Sequence, residues 1–295
     1  MKISLVGLGN MGSRIAKRLI EQGHELGVFD IDKQSMDDLQ RIGATTYSSI
    51  EELGLVSDYV ITVLPNAGAV EETVNCHGGL LRSMKAGSVL IDMTSSEPQV
   101  TKNLGDSLLE NGISMLDAPV SGGTKKAENG TLTIMIGGDE NIFNESLKIL
   151  NSIGEKIIHV GGLGAGHTVK ALNNLLAAST LAITAESLAV GVKMGIEPSK
   201  MLEVINAGSG KSASSETKFS QQIISRKFDV GFTLELMCKD LTIAMNIAHQ
   251  NNVPMFASAS ICQLWQYALA NGGGKMDHTA IACFVEDMSN VVIAD

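Results

Sequence analysis

The sequence has few of the features that define several common classes of protein. It has only four cysteines and no Cys-x-x-Cys pair, so neither a disulfide framework nor a thiolate zinc site is indicated. Its six histidines are scattered, and Cys76-His77 alone cannot form a tetrahedral site, so we expect no required metal. Lys and Arg number 22 against 32 Asp and Glu, and the net charge of −10 argues against non-specific binding to nucleic acid or anionic membranes.

Targeting and membrane segments are also lacking in the sequence. Met1 is followed directly by the strand-like residues 2–6, without a signal peptide. No uninterrupted apolar run reaches the roughly 18–20 residues of a membrane helix. The sequence therefore predicts a cytoplasmic protein that crosses no membrane, in which a local site must hold any anionic ligand.

The first half of the chain alternates short apolar runs with amphipathic stretches of helical length. With 295 residues and 44% hydrophobic residues, the chain can form one large or two ordinary domains with a sizeable core. Strands that alternate with helices in this way indicate right-handed βαβ units and a mainly parallel sheet. The expected strands are Ile3–Leu8, Glu25–Phe29, Tyr59–Leu64, Ser88–Met93, Ser114–Ala118, Thr131–Ile136 and Lys156–Val160.

The second half follows a different pattern. The glycine-rich stretch 161–166 ends the alternation, and a long Ala- and Leu-rich helix is expected over about 167–194. Only helical segments follow it. The sequence thus predicts an α/β domain over 1–162 and an all-α domain over 163–295 that begins with the long helix. The further helices are expected at Pro198–Ala207, Thr233–Asn251, Ala257–Asn271 and His278–Asp287.

A glycine motif follows the first expected strand and opens the first helix. Gly7 would permit a tight turn, Gly9 would let the backbone approach a pyrophosphate, and Gly12 would allow close packing of helix and strand. Asp30 ends the second strand about 20 residues later, as a ribose-binding carboxylate should. This pattern predicts a Rossmann fold that binds NAD rather than NADP, although Lys33 nearby leaves that preference open. A ligand-free turn, or a site for FAD or another nucleotide, are the alternatives.

Several further motifs extend along the chain: VGLGNMG at 6–12, LPN at 64–66, DMTS at 92–95, DAPVSGG at 117–123, GAGHTVKALNN at 164–174 and KDL at 239–241. Together they resemble the motifs of the β-hydroxyacid dehydrogenases, the family that includes 3-hydroxyisobutyrate dehydrogenase and tartronate semialdehyde reductase. The resemblance extends over the whole chain. Within the family, residues 64–68, 123–135 and 208–212 look most like 2-(hydroxymethyl)glutarate dehydrogenase.

The resemblance implies a catalytic role for Lys170 on the long helix. Asn173 and Asn174 follow three and four residues later, on the same helical face, and Asn174 would position the reacting oxygen or the substrate chain. A lysine in such a polar cleft can exchange a proton with a substrate oxygen. From the residues alone, a solvated lysine near a helix start is the alternative.

The resemblance also implies which residues bind the substrate and the cofactor. The Ser121-Gly122-Gly123 turn would bind the substrate carboxylate as an anion-binding nest, with a plain tight turn as the alternative. Helix capping by Thr94, Ser95 and Ser96 is the alternative at that point, and it could hold together with cofactor binding. Lys239, which could instead form an exposed ion pair, would lie beside the nicotinamide with Phe232 nearby. The cofactor set comprises Gly7, Leu8, Gly9, Asn10, Met11, Gly12, Asp30, Leu64, Pro65, Asn66, Thr94, Ser95, Phe232 and Lys239.

Lys211 is the candidate for contact with the far end of the substrate. It lies in the loop 208–212, which lacks the spacing and the preceding strand of a phosphate-binding loop, so nucleotide hydrolysis is rejected. A positive charge there would suit a second acidic group, and a solvated loop is the alternative.

Together these observations predict an NAD-dependent dehydrogenase that interconverts a small 3-hydroxy acid and its semialdehyde, in a homodimer or homotetramer. The sequence leaves open which acid is used; candidates range from 3-hydroxyisobutyrate to 2-(hydroxymethyl)glutarate and a sulfonated aldehyde. A catalytically inactive NAD-binding sensor or scaffold is one alternative. A decarboxylating 6-phosphogluconate-type dehydrogenase is the other.

Overall fold

The computed structural model describes all 295 residues and divides into two compact units. The first unit is Met1–Lys170 and the second is Ala171–Asp295. The division falls inside a long helix, later than the predicted domain boundary at residue 162. Each unit has buried apolar side chains of its own.

The first unit is built on a nine-stranded sheet in which the order is β3-β2-β1-β4-β5-β6-β8-β7, with β9 beside β8. Neighbouring strands from β3 to β6 are parallel, whereas β8 runs antiparallel to β6 and β7. The predicted mainly parallel sheet is confirmed. The strands are β1 Ile3–Val6, β2 Leu26–Phe29, β3 Thr45–Thr46, β4 Tyr59–Thr62, β5 Val89–Asp92, β6 Ser114–Asp117, β7 Val120–Ser121, β8 Leu132–Gly137 and β9 Gly154–Gly161.

Eight helices lie in the connections between these strands. The strands β1, β5 and β8 are almost entirely buried because helices cover the sheet, which explains their continuous apolar sequence. The helices are α1 Gly12–Glu21, α2 Lys33–Gln40, α3 Ile50–Val56, α4 Ala67–Asn75, α5 Leu80–Ser83, α6 Pro98–Leu109, α7 Gly123–Asn129 and α8 Glu140–Leu150.

Helix α9, Ala165–Lys193, begins in the first unit and continues into the second. It is long and apolar enough to cross a membrane by length and composition alone, with a mean hydropathy of 1.7 over its most apolar 18-residue window. A window average tolerates the interspersed Asn, Ser and Thr, so α9 meets this criterion although it contains no uninterrupted apolar run of that length. Half of that window is buried in the structure, as in a core helix.

The second unit is entirely helical, as predicted. Its core includes the fully buried Phe219 and Trp265, packed among the apolar faces of its helices. A π-helix at Ser214–Ile224 was not predicted, because its first five residues are all polar and show no apolar helical period. The other helices are α10 Pro198–Ala207, α11 Leu234–Gln250, α12 Phe256–Ala268 and α13 Ile281–Ser289, with a short π-helix at Leu269–Gly273 and a 3-10 turn at His278–Ala280.

Candidate active site

Three glycines follow β1, and the last of them, Gly12, begins α1. Each of the three has a different steric environment. Gly7 has φ +97°, and a Cβ there would lie 2.3 Å from the carbonyl oxygen of Val63. A Cβ on Gly12 would lie 1.9 Å from the carbonyl oxygen of Gly7, so helix and loop pack too closely for any side chain. At Gly9, by contrast, a Cβ would meet nothing within 4 Å. The loop therefore keeps open space at its middle glycine, as the approach of a pyrophosphate requires.

Asp30 follows β2 and is hydrogen-bonded to this loop. Its Oδ2 accepts from the backbone nitrogen of Leu8 at 2.5 Å, and its Oδ1 accepts from the backbone nitrogen of Asp32 at 2.7 Å. Each carboxylate oxygen can accept a second hydrogen bond. The carboxylate is thus oriented by backbone groups and retains acceptor capacity for ribose hydroxyls.

The expected cofactor residues after β4 and β5 are linked by hydrogen bonds. The hydroxyl of Thr94 accepts from the backbone nitrogen of Leu64 at 3.0 Å, and Asp92 accepts from the backbone nitrogen of Thr94 at 3.0 Å. Asn66 caps α4 by accepting from Ala69 at 2.9 Å. Helix α6 begins only at Pro98 with Glu97 before it, so neither Thr94 nor Ser95 is its N-cap residue.

The predicted carboxylate-binding turn lies between β7 and α7. Gly122 has φ +133° and Gly123 has φ +71°, so two consecutive residues adopt conformations that favour glycine. A Cβ at Gly122 would clash with the side chain of Lys126, whereas a Cβ at Gly123 would meet nothing within 4 Å. Ser121 is half-buried beside them. The turn presents a hydroxyl and exposed backbone to an open space.

Lys170 lies in the second turn of α9, whose start is held by Asp117. The carboxylate of Asp117, fully buried at the end of β6, accepts from the backbone nitrogens of Gly164 and His167, both at 2.7 Å. The His167 ring is also buried, and its Nδ1 lies 2.8 Å from the hydroxyl of Thr101. Sequence reasoning assigned no role to Asp117 or His167, although a carboxylate at the end of a buried strand is a signal for one.

Asn173 and Asn174 follow Lys170 on α9, and Asn174 is tied to a carboxylate of α11. Its Nδ2 donates to Asp240 Oδ2 at 2.6 Å, and its Oδ1 accepts from Asn173 at 3.3 Å. Lys239 Nζ is 3.7 Å from Asp240 Oδ1. Asp240 is only 1% exposed and accepts the hydrogen bond from Asn174, so it holds the Asn174 amide in one orientation. Asp240 is the neighbour in sequence of the predicted Lys239.

Phe232 belongs to a second network in the helical unit. The backbone nitrogen and Nδ1 of His278 both face the carbonyl oxygen of Phe232, at 2.8 and 3.1 Å, and the two rings pack edge to face with centroids 5.5 Å apart. His278 Nε2 lies 2.8 Å from Lys218 Nζ. Sequence reasoning missed both His278 and Lys218, because neither stands in a recognised motif.

Lys211 is engaged elsewhere on the surface. Its Nζ lies 2.7 Å from Glu216 Oε1, and both side chains are about half exposed. An anion at Lys211 would have to compete with this carboxylate, and an exposed pair of this kind is easily reorganised.

No group of three or more His, Cys, Asp or Glu side chains is arranged to hold a metal ion. All four cysteines are free, and only Cys238 among them is buried.

Two family models match consecutive parts of the chain. Residues 2–161 match the family described as the NAD binding domain of 6-phosphogluconate dehydrogenase. Residues 164–285 match the family described as NAD-binding of NADP-dependent 3-hydroxyisobutyrate dehydrogenase.

Individual relatives cover almost the whole chain. The 2-(hydroxymethyl)glutarate dehydrogenase of Eubacterium barkeri is 40% identical over 100% of this chain and 98% of its own length. The mitochondrial 3-hydroxyisobutyrate dehydrogenase of Homo sapiens is 31% identical over 97% of this chain and 87% of its own. The solved structure of Mycobacterium tuberculosis 3-hydroxyisobutyrate dehydrogenase with L-serine aligns with a TM-score of 0.89 at 26% identity, over 96% of this chain and 98% of that one.

Proposed function

Because this chain belongs to the β-hydroxyacid dehydrogenase family, we propose that it interconverts a small 3-hydroxy acid and the corresponding semialdehyde, with Lys170 as general acid and base. The chain is an NAD-dependent oxidoreductase that acts on a CH–OH group. One observation carries the finer proposal: the buried Asp117 both precedes the Ser121–Gly123 turn and holds the start of the helix that bears Lys170. The end of β6 thus determines the positions of both the proposed anion-binding turn and Lys170.

The chemistry divides between the cofactor and the side chains. NAD, when bound, supplies the hydride acceptor for oxidation of the alcohol carbon. Lys170 in its neutral form takes the hydroxyl proton in that direction, and its ammonium form returns the proton to the carbonyl oxygen in reverse. The pair Asn173 and Asn174 contacts the substrate oxygen or chain, with Asn174 held in place by Asp240.

Substrate binding rests on the turn after β7. We propose that the substrate carboxylate is held by the Ser121 hydroxyl and by backbone N–H groups at Gly122 and Gly123, the two residues of the turn with positive φ. Gly123 has the open space that such a ligand needs. Lys211 stays a candidate for a second acidic group, in competition with Glu216.

Cofactor binding rests on the glycine loop and on Asp30. Open space at Gly9 fits a pyrophosphate, and the oriented Asp30 carboxylate fits ribose hydroxyls while repelling a 2′-phosphate, so NAD should be preferred. We propose further contacts from the polar ends of β4 and β5 and, beside the nicotinamide, from Phe232 and Lys239. The full proposed set is Gly7, Leu8, Gly9, Asn10, Met11, Gly12, Asp30, Leu64, Pro65, Asn66, Thr94, Ser95, Phe232 and Lys239.

Self-association is proposed from the exposed side of α9. Leu176, Ile183, Val190 and Met194 are 67, 52, 65 and 75% exposed, and the first three recur every seven residues, so they form one apolar stripe. Such a stripe on a long helix favours burial against a second copy. A homodimer or homotetramer in the cytoplasm is our proposal, and light scattering of the purified protein would measure the assembly.

A substrate panel tests the proposed reaction. The protein is mixed with NAD and, in turn, 3-hydroxyisobutyrate, 2-(hydroxymethyl)glutarate and a simple secondary alcohol without a carboxylate, and NADH absorbance is followed. We expect NADH formation with at least one 3-hydroxy acid and none with the secondary alcohol. NADH binding without turnover of any acid would instead favour a sensor or scaffold.

A further inference from the structure

The proposed carboxylate-binding turn contains no positive charge of its own. Its donors are the Ser121 hydroxyl and the backbone N–H groups of Gly122 and Gly123, all of which are neutral. The chain as a whole carries a net charge of −10, which disfavours the approach of a small anion. A cation beside the turn would therefore strengthen the binding of a carboxylate there.

Lys126 lies against this turn. A Cβ on Gly122 would come within 2.5 Å of Lys126 Cδ, 2.9 Å of its Cβ and 3.1 Å of its Cγ. The aliphatic part of the lysine thus occupies the space that a side chain at position 122 would need. Glycine at position 122 therefore suits both its φ of +133° and the packing of Lys126. The ammonium group is only two bonds beyond Cδ, so it lies close to the turn.

The position of Lys126 on α7 accounts for this contact. Side chains of a helix point back toward its N-terminus, so a residue covers the surface over the turn before it. Lys126 follows Gly123 by three residues and Gly122 by four, which is the spacing at which groups on a helix meet. Lys125 is exposed and lies about 200° around the helix from the buried Ala127, on the outer side. Of the two adjacent lysines, only Lys126 reaches back over the turn.

No acid of α7 offsets the charge of Lys126. The only acidic residue of the helix is Glu128, and its Oε1 lies 2.7 Å from Arg14 Nε on α1. Lys126 takes no part in any ion pair of the chain. An anion at the turn would therefore meet this ammonium group without competition from a carboxylate of the protein.

Arg14 holds α7, and with it Lys126, next to the glycine loop. Its Nη1 donates to the carbonyl oxygen of Asn10 at 2.6 Å, while its Nε donates to Glu128. Ala127 of α7 is fully buried in the core of the first unit, to which all of these residues belong. Lys126 thus stands on a helix that is anchored on two sides, and its place beside the turn is fixed within a single unit.

We propose that Lys126 binds the substrate carboxylate together with the Ser121–Gly123 turn and supplies the positive charge of that site. This inference rests on the proposed function, which assigns the carboxylate to the turn. The chemical class is any small 3-hydroxy acid, since the contact is made to the carboxylate that all of them share. Lys126 acts on substrate binding and leaves the chemical step to Lys170.

Variants at position 126 test the inference, and Lys125 provides the matched control. Lys126→Met removes the charge and keeps the aliphatic stem that packs on Gly122, whereas Lys126→Arg keeps the charge. For the 3-hydroxy acid that is turned over best, we expect Lys126→Met to raise KM about fivefold or more with kcat changed less than about twofold. Lys126→Arg should recover most of that loss, and Lys125→Met should leave KM unchanged. Equal effects of Lys125→Met and Lys126→Met would indicate only a general field and would overturn the proposal.

The salt dependence of KM separates a charge contact from a steric one. Raising the NaCl concentration from about 0.02 to about 0.2 M should raise KM of the wild type and of Lys126→Arg more than KM of Lys126→Met, because added ions screen an exposed charge. The same salt dependence in the wild type and in Lys126→Met would contradict a contact between the ammonium group and the carboxylate.

A binding measurement separates this inference from the proposed reaction. Isobutyrate, which has no hydroxyl group to oxidise, is titrated into the NADH-loaded protein, and Lys126→Met should weaken its binding about fivefold while NADH affinity is unchanged. If no hydroxy acid is turned over but isobutyrate binding depends on Lys126, the proposed reaction fails and the carboxylate site stands.

Three results of the same titration would overturn the proposal. If Ser121→Ala weakens isobutyrate binding and Lys126→Met does not, the turn binds the carboxylate without the lysine. If Lys126→Met instead weakens NADH, the lysine belongs to the phosphates of the cofactor. If isobutyrate does not bind to the wild type at all, there is no carboxylate site for Lys126 to complete.

Discussion

The carboxylate of Asp117 accepts a hydrogen bond from the backbone nitrogen of His167 at 2.7 Å, which joins the end of β6 to the first turn of α9. Its other oxygen accepts from Gly164 at the same distance. The side chain is fully buried, so water does not compete with it for these two donors. Asp117 therefore fixes where the helix starts and, one turn later, where Lys170 lies.

Replacing Asp117 with Asn should destabilise the protein and slow the reaction. The amide NH2 would face a backbone N–H donor in a buried place, which costs about 1–3 kcal/mol of unfolding free energy. Denaturant unfolding measures this cost. Asp139→Asn is the matched control, because Asp139 accepts from Asn141 and Ile142 at the exposed start of α8 and Asn caps helices equally well. Equal stability of the two variants would contradict the role given to Asp117.

The glycine loop predicts two opposite results for Ala substitutions. Gly9→Ala should fold with nearly wild-type stability, because its Cβ meets nothing, yet NADH affinity should fall about tenfold or more as the Cβ enters the cofactor space. Gly12→Ala should lower the melting temperature even without cofactor, since its Cβ would overlap the carbonyl oxygen of Gly7. Thermal unfolding and NADH titration of both variants give the comparison. Unchanged NADH binding in Gly9→Ala would mean that the pyrophosphate lies elsewhere.

Asp30 should set the choice of cofactor. We expect kcat/KM with NAD to exceed that with NADP by about ten- to a hundredfold, from lost ribose hydrogen bonds and charge repulsion. Asp30→Ala should reduce this ratio mainly by lowering kcat/KM with NAD. Asp32→Asn removes the same charge two residues later, where Asp32 only caps α2, and should keep the preference. A wild-type preference for NADP would show that Lys33 outweighs Asp30.

Lys170→Ala should slow turnover strongly without weakening cofactor binding. The loss of a positioned proton donor and acceptor lowers kcat by about 10²–10⁴. NADH affinity should change less than about threefold, because the dinucleotide contacts that we propose lie mainly on the glycine loop and Asp30. Lys193→Ala, in the last turn of the same helix, should be fully active. A loss of tenfold or less in kcat for Lys170→Ala would remove Lys170 from catalysis.

The parts of the fold predicted from sequence are those with strong local patterns. All seven expected strands are present, because strands covered by helices must be continuously apolar. The two-residue strands β3 and β7 were missed, since two residues cannot show a period. The π-helix was missed because two of its four buried residues, Ser214 and Ser215, are polar, so no apolar pattern marks its first half.

The same distinction holds within the candidate site. Gly7, Gly9 and Gly12 stand in a local motif, and the structure shows the steric reason for each. Asp240 and His278 act through partners far away in the sequence, Asn174 and Lys218, and no local pattern can reveal such a pair. Local motifs therefore identified the glycines at which the backbone can approach a ligand. They did not identify the distant side chains that orient Asn174 and Lys218.

The central claim is that the protein moves a hydride from a 3-hydroxy acid to NAD, and an isotope label tests it most directly. The wild-type protein is given NAD and a 3-hydroxy acid that carries deuterium on the alcohol carbon, and the reduced cofactor is isolated and its mass measured. We expect one deuterium in each molecule of reduced cofactor and a slower rate than with the unlabelled acid if the transfer limits turnover. Over the same time, Lys170→Ala should form at least about a hundredfold less reduced cofactor. Reduced cofactor without deuterium, or no reduced cofactor with any 3-hydroxy acid, would contradict the claim.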